Sequence, residues 1–211
     1  MRQRIFNRTC RLRVAWLLGP LFIFGACAAE SAGLPVEPVY DGKPLSYWVF
    51  GGPDAHLRSV TVPDGWLDEP GVEAVKNVGT NAIPFLLKWM ESNSAPYALK
   101  MAFGVLGPTA RSAIPDLTRL ATNQPPPSAV PEANWDTKAV RVAATASLAL
   151  IGPDALPALC SIATNQNVVD ARLAALRAVE GMGTNAISAA GRLVCCLADE
   201  DDRIVTATLQ A

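Results

Sequence analysis

Residues 140–160, which run VRVAATASLALIGPDALPALC, hold the pattern that decides the fold. Arg141 and Gly152 recur 31 residues later as Arg172 and Gly183, and Arg203 follows Arg172 at the same interval. A fixed period of a few tens of residues is typical of repeat proteins, in which each unit buries its apolar face against its neighbours. The sequence therefore predicts a tandem repeat.

A second pattern predicts where helices begin. It consists of a residue that can cap a helix, then Ala, an apolar residue, and Pro or Gly: Asn81-Ala82-Ile83-Pro84, Ser112-Ala113-Ile114-Pro115, Asp154-Ala155-Leu156-Pro157 and Ser188-Ala189-Ala190-Gly191. Asn, Ser and Asp accept hydrogen bonds from first-turn amides, and Pro near a helix start removes no helical bond. Successive cap residues are 31, 42 and 34 residues apart. The second interval is eleven residues longer than the first, and we assign the extra residues to a Pro-rich loop at 124–134.

Each unit is predicted to be a pair of antiparallel helices. The first helices are expected at Pro70–Val78, Pro96–Leu106, Ala139–Ile151 and Val169–Met182, each stopped by a glycine in the left-handed conformation, namely Gly79, Gly107, Gly152 and Gly183. In the second helices, apolar residues at i, i+3, i+4 and i+7 predict one buried face. These sets are Ile83, Leu86, Leu87, Met90; Ile114, Leu117, Thr118, Ala121; Leu156, Leu159, Cys160, Ala163; and Ala190, Leu193, Val194, Leu197.

The segments 140–144, 150–159 and 170–176 resemble the HEAT family, in the short variant also found in phycobilisome bilin lyases. The resemblance covers residues 69–211. It implies an all-α fold, a right-handed α-α superhelix (solenoid) of about four antiparallel helix pairs plus a partial fifth unit. It also implies that Asp170 with Arg172, and Asp201 with Arg203, belong to a ladder of charges between units, which we interpret as structural support.

The first 28 residues resemble an export signal, with five arginines before an uncharged run at 14–29. Three outcomes stay open: ordinary cleavage after Ala28, retention as an uncleaved anchor, or cleavage before Cys27. In the last, Phe24-Gly25-Ala26-Cys27 resembles a lipoprotein signal whose Cys27 is acylated, although Phe24 stands where that family normally has Leu. The sequence predicts export to the periplasm or cell envelope, or secretion, with membrane contact only through an N-terminal lipid anchor.

Charge argues against nucleic acid as a partner. Loss of the leader would remove five of the 18 basic residues and leave 13 against 19 acidic ones, a net charge of −6. An acidic surface repels phosphate. We therefore expect no nucleic-acid binding.

No residue pattern indicates catalysis, a cofactor or a metal, and we predict a protein that is not an enzyme. His56 is the single histidine, so it supplies neither a metal cluster nor a triad. The acidic run at 199–202 precedes a predicted helix, where acid favours the positive end. Cys160 and Cys196 are expected to point inward and Cys195 outward, as unpaired thiols, with a Cys160–Cys196 bridge as the alternative.

The two ends of the repeat carry separate predictions. Residues 29–68 form an N-terminal extension, in which 39–48 resembles the lead-in of exported HEAT arrays and predicts a turn and a short helix that covers the first pair. At the other end the chain stops at Ala211, inside a predicted first helix, so we expect an under-covered apolar face, a truncated product, or self-association through this C-terminal helix.

The sequence predicts a noncatalytic scaffold for protein–protein interaction, with an unidentified protein partner bound by the ridge of second helices. Trp135 beside the Pro-rich insert is the candidate partner contact, with packing as the alternative. The alternative function is a chaperone-like lyase, or ligand-attachment protein, similar to HEAT-type bilin lyases.

Overall fold

The computed structural model describes residues 36–52, 67–92, 95–122 and 133–211, with the backbone alone at 133–137. These residues belong to one compact unit, 36–211, and they are mostly helical. The prediction of an all-α protein is confirmed at that level. None of the helices in the described ranges is long and apolar enough to cross a membrane.

A hairpin and a short helix precede the repeats. Strands β1 (Val39–Tyr40) and β2 (Lys43–Pro44) pair antiparallel around Asp41 and Gly42, which both have positive φ. Helix α1 (Leu45–Phe50) follows. It buries Trp48, whose indole Nε1 donates to the carbonyl oxygen of Tyr40 at 3.0 Å.

Helices α2 to α10 follow in chain order. They are α2 (Glu69–Val78), α3 (Ile83–Glu91), α4 (Pro96–Leu106), α5 (Ile114–Thr122), α6 (Ala133–Ile151), α7 (Leu156–Ala163), α8 (Val169–Met182), α9 (Ala190–Leu193) and α10 (Asp202–Gln210). Short 3₁₀ segments lie at Gly79–Ala82, Gly107–Ala113, Pro153–Ala155, Gly183–Ala189 and Val194–Ala198. The predicted bounds of α4 and α8 are confirmed, and that of α2 is one residue short.

Helix α6 departs from the prediction at its start. It begins at Ala133, six residues before the expected Ala139 and inside the segment 124–134 that we assigned to a loop. The remainder of that predicted insert, 124–132, lies outside the described residues. Ala133 to Lys138 include no Pro or Gly, so nothing in their chemistry stops the helix from extending backwards.

The predicted glycine stops are confirmed in the sign of φ. Gly79, Gly107, Gly152 and Gly183 have φ of 61°, 51°, 108° and 55°. Their ψ angles, between −130° and −157°, differ from the left-handed helical value and lie in a region that residues with a Cβ avoid. Each glycine therefore turns the chain directly into the next segment.

The predicted side-chain caps at the second helices are wrong. Helices α3, α7 and α9 have Ala82, Ala155 and Ala189 at the N-cap, without a side-chain hydrogen bond. The reason is that the 3₁₀ segment supplies the acceptors instead: the amide of Ile83, for example, donates to the carbonyl of Thr80. Pro does lie in the first turn of α3 and α7, where it was predicted.

The helices form two series, and within each series every helix contacts the next one along the chain. The first series is α2, α4, α6, α8 and α10, and the second is α3, α5, α7 and α9. The core lies between them. Leu86, Leu117 and Leu159 are completely buried and Leu193 is 3% exposed, which confirms the inward face predicted for the second helices.

The last of the four predicted apolar sets is wrong in part. Ala190 is exposed, and Val194 and Leu197 are 60% and 41% exposed. The cause is geometric, because α9 has only four residues before the chain tightens into the 3₁₀ segment at 194–198. A 3₁₀ helix has three residues per turn, so the spacing of 3.6 that would place Val194 and Leu197 beside Leu193 is lost.

Candidate functional site

A groove lies between α6 and α8 on the first series of helices. Its volume is about 690 Å³. We call it the α6–α8 groove. Its floor is apolar or small and is formed by Val142, Ala146, Ala149, Leu150, Leu173, Ala174, Ala178, Gly181 and Met182, and its charged rim by Lys100, Lys138, Asp170, Arg177 and Arg203.

The groove follows from apolar residues on two faces of α6. One face, which includes Ala144, Leu148 and Ile151, is buried against the core. Val142, Ala146 and Leu150 form a second stripe at a spacing of four residues, on another side of the helix. Leu150 stays 44% exposed there. A surface helix with one buried face is polar elsewhere, whereas α6 has this second apolar stripe because it also packs beside α4 and α8, and the packing leaves part of the stripe accessible.

Small side chains keep the floor open. The lining includes Ala146 and Ala149 on α6 and Ala174 and Ala178 on α8. Because a methyl group fills little of the space between two helices, the gap is left for another molecule. Helix α4 closes one side tightly, since a Cβ placed on Gly104 would lie 3.0 Å from the Leu150 side chain.

The rim concentrates positive charge. Of the five ionisable rim residues that the structure describes, four are basic, although the whole chain has a formal net charge of −1. Asp170 pairs with Lys138 at 3.1 Å, and Arg203 pairs with Asp201 at 2.7 Å. Within the described ranges no carboxylate lies at ion-pair distance from Lys100 or Arg177. These two cations are therefore available to a ligand.

A shallower cavity of about 320 Å³ continues the groove onto α10. It shares Leu173, Arg177 and Arg203 with the α6–α8 groove and adds Asp202, Thr206, Ala207 and Gln210. The accessible surface thus crosses three consecutive members of the first series.

Two buried arginines lie on α6 and α8 outside the lining of the groove. Arg172 is 4% exposed; its Nε donates to the carbonyl oxygen of Ala163 at 2.9 Å and its Nη2 to Asp199 at 2.5 Å. Arg141, 6% exposed, has Nη2 3.7 Å from Asp170 and no partner for Nε or Nη1. The ladder suggested by the sequence is present but paired differently: Asp170 meets Arg141, Asp199 meets Arg172, and Asp201 folds back on Arg203.

The acidic run at 199–202 acts in structure. The hydrogen bond from Arg172 holds the pKa of Asp199 below its usual value, and the one from Arg203 does the same for the pKa of Asp201. Asp201 also caps α10 by accepting from the amide of Arg203 at 3.0 Å. Among the described residues, no group of three His, Cys, Asp or Glu side chains could hold a metal ion.

The cysteines lie as the register predicted. Cys160 and Cys196 are buried, Cys195 is exposed, and all three are free thiols. Burial raises the pKa of Cys160 and of Cys196, so both stay protonated at neutral pH. Cys196 donates to the same Ala163 carbonyl oxygen as Arg172, at 3.6 Å.

Three residues that the sequence singled out are described only in part or not at all. Cys27 and His56 lie outside the described residues, and of Trp135 only the helical backbone of α6 is described. Sequence reasoning placed binding on the second helices and missed the α6–α8 groove, which lies on the first. The signal that could have found it is the second apolar stripe, Val142, Ala146 and Leu150.

Comparison with known proteins gives no match, either to a family model, to a curated protein or to a solved structure.

Proposed function

We propose that this protein is a noncatalytic scaffold built as a right-handed HEAT-like solenoid, and that it binds another protein through the α6–α8 groove. The 31-residue recurrence of Arg141, Arg172 and Arg203 and the glycine turns support the repeat architecture. So does the order of contacts, in which each first helix meets the next. The proposed location is the cell envelope or the exterior of the cell, on the strength of residues 1–28.

One observation carries the binding role: an apolar stripe on α6 that the fold covers only in part. Val142 and Ala146 are half-buried and Leu150 is 44% exposed, whereas Ala144, Leu148 and Ile151 are buried in the core. Apolar surface left in contact with water costs roughly 25 cal/mol per Å² relative to burial. Contiguous exposed apolar patches mark interaction sites.

Photocrosslinking in the cell of origin tests this proposal. A benzoylphenylalanine at Leu150 in the groove is expected to give a protein adduct, and one at the exposed Lys88 on α3 is expected to give none. The change Ala146→Glu should abolish the Leu150 adduct because it puts an unpaired charge on the floor. Ala190→Glu, at an exposed alanine outside the groove, is the matched control. Adducts at Lys88 alone, or at neither position, would refute the proposal.

A ligand-carrying role, as in chaperone-like lyases, is the second candidate. The apolar floor with cations at its rim also suits an amphiphilic small molecule with carboxylates, and about 690 Å³ is in the range of small-molecule sites. Native mass spectrometry of the purified protein separates the two candidates. A bound small molecule that is lost in Ala146→Glu would favour ligand carriage.

A further inference from the structure

We infer that the occupant of the α6–α8 groove is an acidic amphipathic helix of a partner protein. This inference rests on the proposed function, since it specifies the chemistry of the protein that binds there. Three properties of the groove lead to it: the length of the floor, the bonding state of its walls, and the charge of its rim.

The floor has the repeat of a helix. Val142, Ala146 and Leu150 follow each other at four residues, about 6 Å along the axis of α6, and together span about 12 Å. Leu173 and Met182 mark a stretch of about 13 Å along α8. A helix lying along this floor would place two to three turns on it, with apolar side chains at i, i+3 or i+4, and i+7.

The walls offer no free backbone. Both are α-helices, whose mid-helix amides and carbonyls already bond to each other, so an extended peptide could not add to them as a strand does to a sheet edge. A segment on the apolar floor must therefore satisfy its own backbone groups, because unpaired buried amides are costly. A helix does this internally.

The rim selects acidic flanks. Lys100 on α4 lies to one side of the floor, and Arg177 and Arg203 lie on α8 and α10, the next helices of the first series. Glu or Asp on either side of the partner's apolar face would meet these cations. Among the residues whose side chains the structure describes, none in the lining is an aromatic on which a base could stack, which disfavours single-stranded nucleic acid despite the positive charge.

Synthetic helices test the inference directly. Three fluorescein-labelled 18-residue peptides would be compared by anisotropy with the full chain: one with Leu on one face and Glu beside it, one with Lys in place of Glu, and one with Ser in place of Leu. The Leu/Glu peptide is expected to bind at least about tenfold more tightly than either of the others. Its affinity should fall between 0.05 and 0.5 M salt, as expected of rim charges. Equal binding of the Lys or the Ser peptide would overturn the inference.

Charge reversal locates the site. The double change Lys100→Glu and Arg177→Glu should weaken the Leu/Glu peptide on the order of tenfold and strengthen the Lys peptide. Lys88→Glu, an exposed lysine on α3, is the control and should change neither affinity. Circular dichroism checks that each variant is folded, and Arg177→Gln gives a milder change if the double variant is not. Binding of the Leu/Glu peptide that is indifferent to Arg177 would contradict the assignment.

The same experiment also tests two other kinds of partner, nucleic acid and a lipid surface. A 20-nucleotide single-stranded DNA and vesicles of phosphatidylglycerol and phosphatidylcholine (1:3) carry negative charge without a helix. Tighter groove-dependent binding of either would replace the inference. Should the Leu150 crosslink form while no Leu/Glu peptide binds, the acidic helix is wrong and the protein-binding role stands; when both fail, both are wrong.

Discussion

Arg172 and Arg141 hold the same place in consecutive repeats, yet only Arg172 has its hydrogen bonds satisfied. Nine residues separate Arg172 from Ala163, whose carbonyl accepts its Nε, and Asp199 accepts its Nη2. By the helix register Ala121 corresponds to Ala163, and twenty residues separate it from Arg141. Arg141 keeps two donors without a partner. Two residues at equivalent places in the sequence repeat can thus both be buried while only one of them has its polar groups bonded.

Removing the satisfied arginine should have the largest effect. Arg172→Met keeps most of the volume but leaves Asp199 and the Ala163 carbonyl without the guanidinium, and loss of the buried bond from Nε to Ala163 alone costs about 1.5–3 kcal/mol. Urea unfolding followed by circular dichroism measures the free energy of unfolding. A loss below about 1 kcal/mol would mean that the bond geometry of Arg172 contributes little to stability.

The glycine turns should respond alike in both repeats. Gly152→Ala and Gly183→Ala each force a Cβ into a positive-φ conformation, although nothing lies within 4 Å of it, so we expect a loss of about 1–2 kcal/mol at each from backbone strain alone. Gly181→Ala, inside α8 and equally free of clashes, is the matched control and should gain about 0.5–1 kcal/mol. Thermal unfolding of the three variants shows whether the signs differ as expected.

Removing the unsatisfied arginine should cost nothing. Arg141→Met takes away two buried donors that lack partners, and Asp170 retains Lys138 at 3.1 Å. The free energy of unfolding should stay level or rise by about 1 kcal/mol. The same urea titration as for Arg172→Met measures it. Equal losses of the free energy of unfolding in Arg141→Met and Arg172→Met would contradict the difference inferred between the two arginines.

Acid should weaken the Arg172–Asp199 pair. Because Arg172 lowers the pKa of Asp199 in the folded state, the stabilisation is complete above the unfolded pKa of about 3.9 and is lost as the pH falls through the lower folded value. Stability measured between pH 5 and pH 2 should therefore fall less steeply in Asp199→Asn than in the parent. Parallel curves would show that the pair is not coupled to protonation.

Thiol labelling gives the smallest and most local readout. In the native protein, iodoacetamide should modify Cys195 and spare Cys160 and Cys196, as mapped by peptide mass spectrometry. Arg172→Met should expose Cys196 to the reagent more often, because the segment that holds it loses the bonds of Arg172 to Ala163 and Asp199. Arg141→Met should leave Cys196 protected. Faster labelling of Cys196 in Arg141→Met would contradict the expectation that only Arg172 protects this thiol.

The repeat in the sequence made most of the helices predictable. The features that were not predicted are the ones that do not follow the repeat. The helix bounds at 96–106 and 169–182 and the buried leucines followed from periodicity, because core faces repeat at 3.6 residues. The 3₁₀ entries to α3, α7 and α9 were missed, since a cap residue and a 3₁₀ turn share the same Asn, Ser and Asp preferences. The α6–α8 groove was missed because stripes of Ala are typical of both close helix packing and open surface. Only the distance between α6 and α8 distinguishes them.

The most direct test of the account is hydrogen–deuterium exchange of the full chain with and without the Leu/Glu peptide. With the peptide bound, we expect slower exchange in 139–151 and 169–182, which belong to the two helices of the α6–α8 groove. Exchange in α3, α5 and α7 should be unchanged. Protection confined to that second series would contradict it and return the binding surface to the ridge that the sequence first suggested.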